Sequence, residues 1–249
     1  MSATPRDRFY LGMTLAMAAV VLVGFTPTLF GRAAFAVPKM AGYLYLHGLV
    51  VASWYALMVT QATLVGTGRV ALHRKLGVAG LAYLVLIPLA GMGAQLALPD
   101  RFRAIGVDLT PLRPLVENIF WLNAFSVLQF IGFLGAALLL RRRSESHKRL
   151  MLFAGIAIIL PAASRLSRWP VFGNAAPDLS QPSSTGNDVT IALAFLVLFI
   201  AAMIIHDFVK QRRMHRVTAI GTAILFGMGL VAPIIAKSEA GKAIVWAVS

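Results

Sequence analysis

The chain of 249 residues contains no cysteine and few charged residues. The absence of cysteine excludes disulfide frameworks, thiolate metal sites, cysteine nucleophiles and c-type haem attachment. Charged residues make up 13% of the chain, against about 25% in a soluble domain, while 59% of the residues are hydrophobic and the mean hydropathy is +0.79. Such a composition cannot cover a core with a polar surface. It excludes an ordinary soluble enzyme, a nucleic-acid-binding domain and a disordered chain.

Seven apolar stretches are long enough to cross a bilayer, which needs about 17–25 apolar residues in a helix. They cover residues 9–30, 42–66, 74–98, 116–140, 149–166, 189–209 and 216–236. Because backbone groups in lipid must be hydrogen-bonded within their own segment, all seven are predicted to be helices. The sequence therefore predicts an all-α, polytopic transmembrane bundle in a single domain over residues 1–249, with one leading helix followed by three helical hairpins.

Two of these stretches need separate comment. The fifth is the weakest, since it is short and ends in Ser164 and Arg165. The first is preceded by Arg6 and Arg8, as a signal peptide would be, but its apolar run is longer than the about 7–15 residues typical of a signal. We interpret the first stretch as a retained helix.

Acidic residues are scarce: 9 Asp and Glu stand against 23 Lys and Arg, a formal net charge of +14. Fourteen of the basic residues fall at one set of helix ends, which comprises the N-terminus and the loops near 67–75, 141–149 and 210–216. Basic residues in short loops favour the cytoplasmic side. We therefore predict a protein of the cell inner membrane with its N-terminus inside and its C-terminus outside. Its basic loops would contact anionic lipid headgroups, so nucleic acid is not needed to explain the charge.

The histidines are the main candidates for functional residues in this sequence. On this topology His73, His147, His206 and His215 lie at or near the cytoplasmic face. Imidazole suits Zn, Fe or Cu, so these four residues are candidate metal ligands. Asp207, adjacent to His206, is a candidate ligand, a hydrogen-bond acceptor that fixes the tautomer of a ligating imidazole, or a catalytic acid/base. The alternative interpretation is that these side chains are interfacial polar residues.

A second polar group lies in the outer half of the predicted bundle. It comprises His47, Gln95, Glu117, Asn118 and Asn123. Glu117 near His47 would form a proton-handling pair. The alternative is that Asn and Gln side chains join helices by hydrogen bonds, each contributing about 0.6 kcal/mol.

One segment resembles known families. Residues 47–77, HGLVVASWYALMVTQATLVGTGRVALHRKLG, are similar to bacterial multi-helix membrane families of unknown function. The segment more distantly resembles the cytochrome b561 type, in which an HG…W helix and an H..LG helix supply axial haem ligands. The resemblance implies a haem, with His47 as a cofactor-binding residue. Because His47 has no second histidine in its half of the bundle, it implies one haem near the cytoplasmic face or a non-haem metal, rather than two haems.

Three functional hypotheses follow from these observations. The first is a membrane protein that binds a transition metal (Fe, Cu or Zn) or haem through histidines near the cytoplasmic face. Its role would be redox or metal/haem handling, with other membrane redox proteins as candidate partners. The second is a metal-dependent, lipid-modifying enzyme in which Asp207 supplies the acid/base. The third is a transporter or sensor that uses the outer polar group.

Overall fold

A computed structural model describes residues 8–31, 40–104, 106–169 and 186–247. These residues are helical, with no strand among them, as the sequence predicts. The helices are α1 (Phe9–Phe25), α2 (Gly42–Gly66), α3 (Val70–Ala79), α4 (Tyr83–Leu96), α5 (Leu98–Ala104), α6 (Arg113–Leu139), α7 (Ser144–Ala157), α8 (Leu160–Ser164), α9 (Gly186–Gln211), α10 (Arg216–Lys237) and α11 (Glu239–Ala247). A π-helical turn, Thr26–Phe30, extends α1, and a short 3-10 turn joins α3 to α4.

The predicted membrane spans correspond to these helices. Within the described residues, six helical stretches are long and apolar enough to cross a membrane, and the bent pair α7 and α8 makes a seventh if it is counted as one span. The bend of 49° falls in the fifth predicted span, the one that the sequence marked as weakest. Its cause is local. Pro161 has no N–H to donate to the carbonyl of Ala157, four residues earlier, so the helix breaks between them.

The bent span lies at the centre of the bundle. Leu152, Phe153, Ala154 and Ile156 of α7 are at most 1% exposed, and they point in all directions around the helix. Since an apolar helix can equally face lipid, it is the burial of these side chains that shows protein contacts around α7. Accordingly α7 packs against α1, α6 and α10, while α8 packs against α1 and α9. The consecutive spans of each predicted hairpin also contact each other, namely α2 with α4, α6 with α7, and α9 with α10.

The two ends of the bundle differ in charge. The end that we call the basic end carries exposed arginines and lysines in the turns after α2, α6 and α9, at positions 69, 74, 75, 141–143, 210, 212, 213 and 216. These turns share one end because successive spans are antiparallel. We call the opposite end, where α4, α8 and α10 finish, the distal end.

Close packing of α1 on α8 gives a test of the fold. A Cβ atom added to Gly24 would lie 2.3 Å from the Ala162 carbonyl oxygen, which is backbone and cannot rotate away. Gly24→Ala is therefore expected to destabilise the protein by about 1–3 kcal/mol, measured by thermal unfolding in detergent. The matched control is Gly132→Ala, since a Cβ there meets nothing within 4 Å. The control should be neutral or slightly stabilising, and equal stability of the two variants would contradict the described packing.

Candidate functional site

The five histidines lie in three places. His206 and His215 lie at the basic end, where α9 ends and α10 begins. His73 and His147 lie at the same end, in the first turns of α3 and α7. His47 lies alone in the distal half. Over the described ranges, no three His, Asp or Glu side chains are grouped as a metal ion requires. The four-histidine metal site thus remains a prediction without an assembled ligand set.

Asp207 joins three helices at the basic end. Its Oδ1 accepts hydrogen bonds from Nε (2.9 Å) and Nη2 (2.5 Å) of Arg149 on α7. Its Oδ2 accepts from the backbone N–H of His215 (2.9 Å) and the hydroxyl of Thr218 (2.5 Å), at the positively polarised start of α10. The side chains of Arg149 and Asp207 are 3% and 1% exposed. Because both carboxylate oxygens are bonded to protein groups, this geometry favours a structural anchor. The catalytic role of Asp207 stays a prediction.

The anchor extends to α1 through neighbouring charges. Arg149 Nη1 donates to the backbone carbonyl (2.9 Å) and to Oε2 (2.7 Å) of Glu145. Lys148 forms an ion pair with Glu145 at 2.6 Å, and its ammonium lies 4.6 Å from the centre of the Tyr10 ring. These contacts connect the first turns of α7 to the first turn of α1.

His206 packs as an aromatic ring. It stacks on Phe9 at a centroid distance of 4.0 Å and meets the edge of Tyr10 at 5.5 Å. Its Nδ1 lies 4.0 Å from Oδ1 of Asp207, which is beyond hydrogen-bonding distance. The ring therefore fills the contact between α1 and α9.

Two imidazoles are held in the form that can bind iron or another metal. His47 Nδ1 donates to the Ala90 carbonyl at 3.0 Å, and His147 Nδ1 donates to the Ala137 carbonyl at 2.9 Å. A carbonyl oxygen only accepts, so Nδ1 carries the proton and the neutral ring keeps a lone pair on Nε2. The same hydrogen bond commonly orients metal-binding imidazoles.

Two other imidazoles are held in the opposite form. With the Gln61 amide turned so that its oxygen accepts from Gly77 N–H (3.0 Å), its nitrogen donates to His73 Nδ1 (2.7 Å). His215 caps α10, and its Nδ1 accepts from the Val217 N–H at 3.1 Å. In each neutral ring the proton is then on Nε2, so neither nitrogen is available as a ligand.

His47 is half-buried, and two guanidinium groups interact with it electrostatically: those of Arg101, on α5, and Arg165, just after α8. Arg165 donates to the Pro161 carbonyl at 2.5 Å and lies over the Phe25 ring. The Nε of Arg101 is enclosed and has no hydrogen-bond partner among the described residues. His47 is thus an oriented imidazole that two guanidinium groups reach electrostatically. The sequence by itself did not point to either arginine, because both are far from His47 along the chain.

The outer amides join helices, as the alternative interpretation predicted. Asn123 of α6 donates to Oε1 of Gln95 on α4 at 2.6 Å. Gln129 of α6 donates to the Ile224 carbonyl of α10 at 3.3 Å. These bonds connect α6 to the spans on either side of it.

Glu117 has a different partner from the one expected. Its Oε1 accepts from the indole N–H of Trp246 at 2.8 Å, and among the described residues it forms no ion pair with His47. Trp246 belongs to α11, a helix of nine residues that packs across the distal ends of α6 and α10. The sequence reasoning missed α11, since it is too short to register as a span.

Comparison with protein-family models, with curated proteins and with solved structures finds no match for this chain. Any functional conclusion must therefore come from the chemistry of the sites themselves.

The buried ion pair of Arg149 and Asp207 predicts that removing Asp207 destabilises the protein much more than removing Glu145. Asp207→Ala leaves Nε and Nη2 of the buried Arg149 without their acceptor, and the exposed Glu145 remains as the guanidinium's counter-charge. This loss is expected to cost about 3–5 kcal/mol of unfolding free energy. Glu145→Ala is the control, since the Glu145 side chain is 57% exposed and its ion pairs should contribute about 1 kcal/mol or less. Thermal unfolding of both variants measures the difference. If Asp207→Ala unfolds no earlier than Glu145→Ala, the anchor is not structural.

The His215 cap predicts a pH dependence. Burial lowers the pKa of the His215 imidazole below its ordinary value, and Arg149 acts in the same direction, against the weaker opposing effects of Asp207 and Glu145. The unfolded chain therefore takes up a proton at this residue before the folded chain does. Stability should fall as pH drops below about 6.5, toward the lowered folded pKa.

The variant His215→Asn keeps a capping side chain that does not titrate. The difference in melting temperature between wild type and variant, followed from pH 7.5 to 5, isolates the histidine's contribution. A difference that stays constant with pH would contradict the assignment.

Proposed function

We propose that this chain is a multi-pass protein of the inner membrane whose basic end faces the cytoplasm. The support is the charge asymmetry of the bundle, because basic residues in short loops are retained on the cytoplasmic side. Seven spans, with α7 and α8 counted as one, would then place the N-terminus inside and the C-terminus outside. The exposed arginines of the basic end would contact anionic headgroups.

Within this protein we propose a haem site at His47. The observation that carries the proposal is the hydrogen bond from His47 Nδ1 to the Ala90 carbonyl at 3.0 Å. This bond fixes the ring between α2 and α4 and leaves Nε2 as an electron-pair donor, which is what an axial haem ligand requires.

The two arginines are suited to bind the propionate groups of a haem. A haem carries two propionate carboxylates, and guanidinium groups bind carboxylates strongly and in a defined geometry. Arg101 has an enclosed Nε that lacks a hydrogen-bond partner in the described part of the chain, so a carboxylate there would satisfy a donor that the protein leaves unused. The imidazole and the two cations together match the donor set that a haem needs.

The function that follows is one-electron redox chemistry in the membrane. The iron of a bound haem supplies that chemistry, while this chain's residues hold, orient and shield it. Other membrane redox proteins are the expected partners. The four-histidine metal site and the lipid-modifying enzyme receive less support. His73 and His215 have their Nδ1 atoms occupied as acceptors, and both oxygens of Asp207 are bonded within the protein.

The test is haem binding by variants. Wild-type protein in mild detergent should show a Soret band as purified or after titration with hemin, while His47→Ala should show none or a strongly weakened one. The matched control is His147→Ala, because His147 has the same carbonyl-bonded imidazole but lies at the other end. Arg101→Gln should weaken hemin binding about tenfold, as expected for the loss of one charge-assisted contact.

Three outcomes would overturn the proposal. Wild type that takes up no hemin would exclude the site. Loss of binding in His147→Ala rather than His47→Ala would move it to the basic end. Stoichiometric Zn, Cu or non-haem Fe without a Soret band would favour the four-histidine prediction instead.

A further inference from the structure

A cavity of about 570 Å³ opens at the distal end, between α6, α10 and α11. Its apolar walls are Pro114, Leu115, Pro233 and Ala236. The volume falls within the about 300–1,000 Å³ typical of small-molecule sites. The cavity lies where α6 begins and α10 ends, at the termini of two candidate membrane spans. If α6 and α10 cross the membrane, this position corresponds to the level of the lipid headgroups.

The inner part of the cavity presents acceptors. Glu117 is 6% exposed, and one of its two carboxylate oxygens accepts from Trp246. The Oδ1 atom of Asn118 is enclosed and has no hydrogen-bond partner within the described ranges. A buried acceptor without a donor is costly, so this pair suits a ligand that brings N–H groups and positive charge.

The mouth of the cavity presents cations. Lys237, the last residue of α10, is exposed there, and Lys242 of α11 is half-buried beside it. Lys242 also forms an exposed ion pair with Glu239 at 2.8 Å and interacts electrostatically with Glu117. The two ammonium groups would attract an anion and repel a ligand that is only cationic.

We infer that this cavity binds an aminophospholipid of the distal leaflet. Its ammonium group would meet Glu117 and Asn118, and its phosphate would meet Lys237 and Lys242. Its acyl chains would follow the apolar walls into the bilayer. A simple anion would leave the inner acceptors without a partner, and a simple cation would meet the lysines, whereas a headgroup with both charges satisfies the whole lining. This inference is independent of the haem proposal.

The experiment is lipid binding by purified protein, measured by native mass spectrometry. The probes are phosphatidylethanolamine, phosphatidylglycerol and phosphatidylcholine with identical acyl chains. Phosphatidylethanolamine should bind best, because phosphatidylglycerol lacks the ammonium and phosphatidylcholine lacks N–H donors. Glu117→Gln and the double variant Lys237→Gln/Lys242→Gln should each weaken phosphatidylethanolamine binding about tenfold. Lys210→Gln, at the basic end, is the control and should change nothing.

Several results would overturn the inference. If phosphatidylglycerol binds as tightly as phosphatidylethanolamine and Glu117→Gln has no effect, the cavity is a site for anions in general. Equal effects of the Lys210 control and the cavity variants would place lipid binding elsewhere. Gel filtration and thermal unfolding show whether Glu117→Gln folds. If it does not fold, the comparison of the three lipids and the double lysine variant still test the inference, since those lysines lie at the mouth of the cavity.

Discussion

The burial of the bent span, α7 and α8, is the constraint on which the arrangement of the other helices depends. A backbone surrounded by protein and lipid has no water to satisfy its polar groups, so any break in a helix needs help from neighbouring groups. Tyr55 of α2 donates a hydrogen bond from its hydroxyl to the Gly155 carbonyl at 2.8 Å, just before the break that Pro161 causes.

Small residues allow neighbouring helices to pack closely against the bent span. Gly24 on α1 and Gly221 on α10 leave room where backbone or aromatic atoms would otherwise collide.

Charge is used differently at the two ends of the bundle. At the basic end, Arg149 and Asp207 are fully paired and fix α7, α9 and α10 relative to one another. A buried pair of this kind specifies an arrangement more than it adds net stability. At the distal end, Arg101 and Asn118 each keep an enclosed polar atom that no described residue satisfies. Groups of that kind are expected where a ligand completes the hydrogen bonding. The two proposed ligand sites lie at the distal end, while the paired charges at the basic end hold helices together.

Most of the fold could be predicted because membrane spans are a local property. The number and limits of the apolar stretches follow from hydropathy over about 20 residues. The structure adds that the fifth stretch, the weakest of the seven, is bent. The short helix α11 could not be found in this way, since its nine residues are amphipathic and their burial depends on α6 and α10. The break follows from Pro161, whose ring and missing N–H interrupt the helix, but its angle depends on the helices packed around it.

For the candidate sites too, the sequence identified the residue types, and the fold determined their contacts. Sequence alone identified the histidines, Asp207 and Glu117 as chemically capable residues, and it determined that the chain is a helical membrane protein with one basic rim, because residue type and hydropathy are carried by each segment separately. The tertiary structure decided which ring nitrogen is engaged in four of the five histidines and that Asp207 is paired with Arg149. It also decided that arginines distant in sequence interact electrostatically with His47. Those outcomes depend on contacts between helices. Such contacts are set by packing across the whole bundle, and no local pattern of residues contains them.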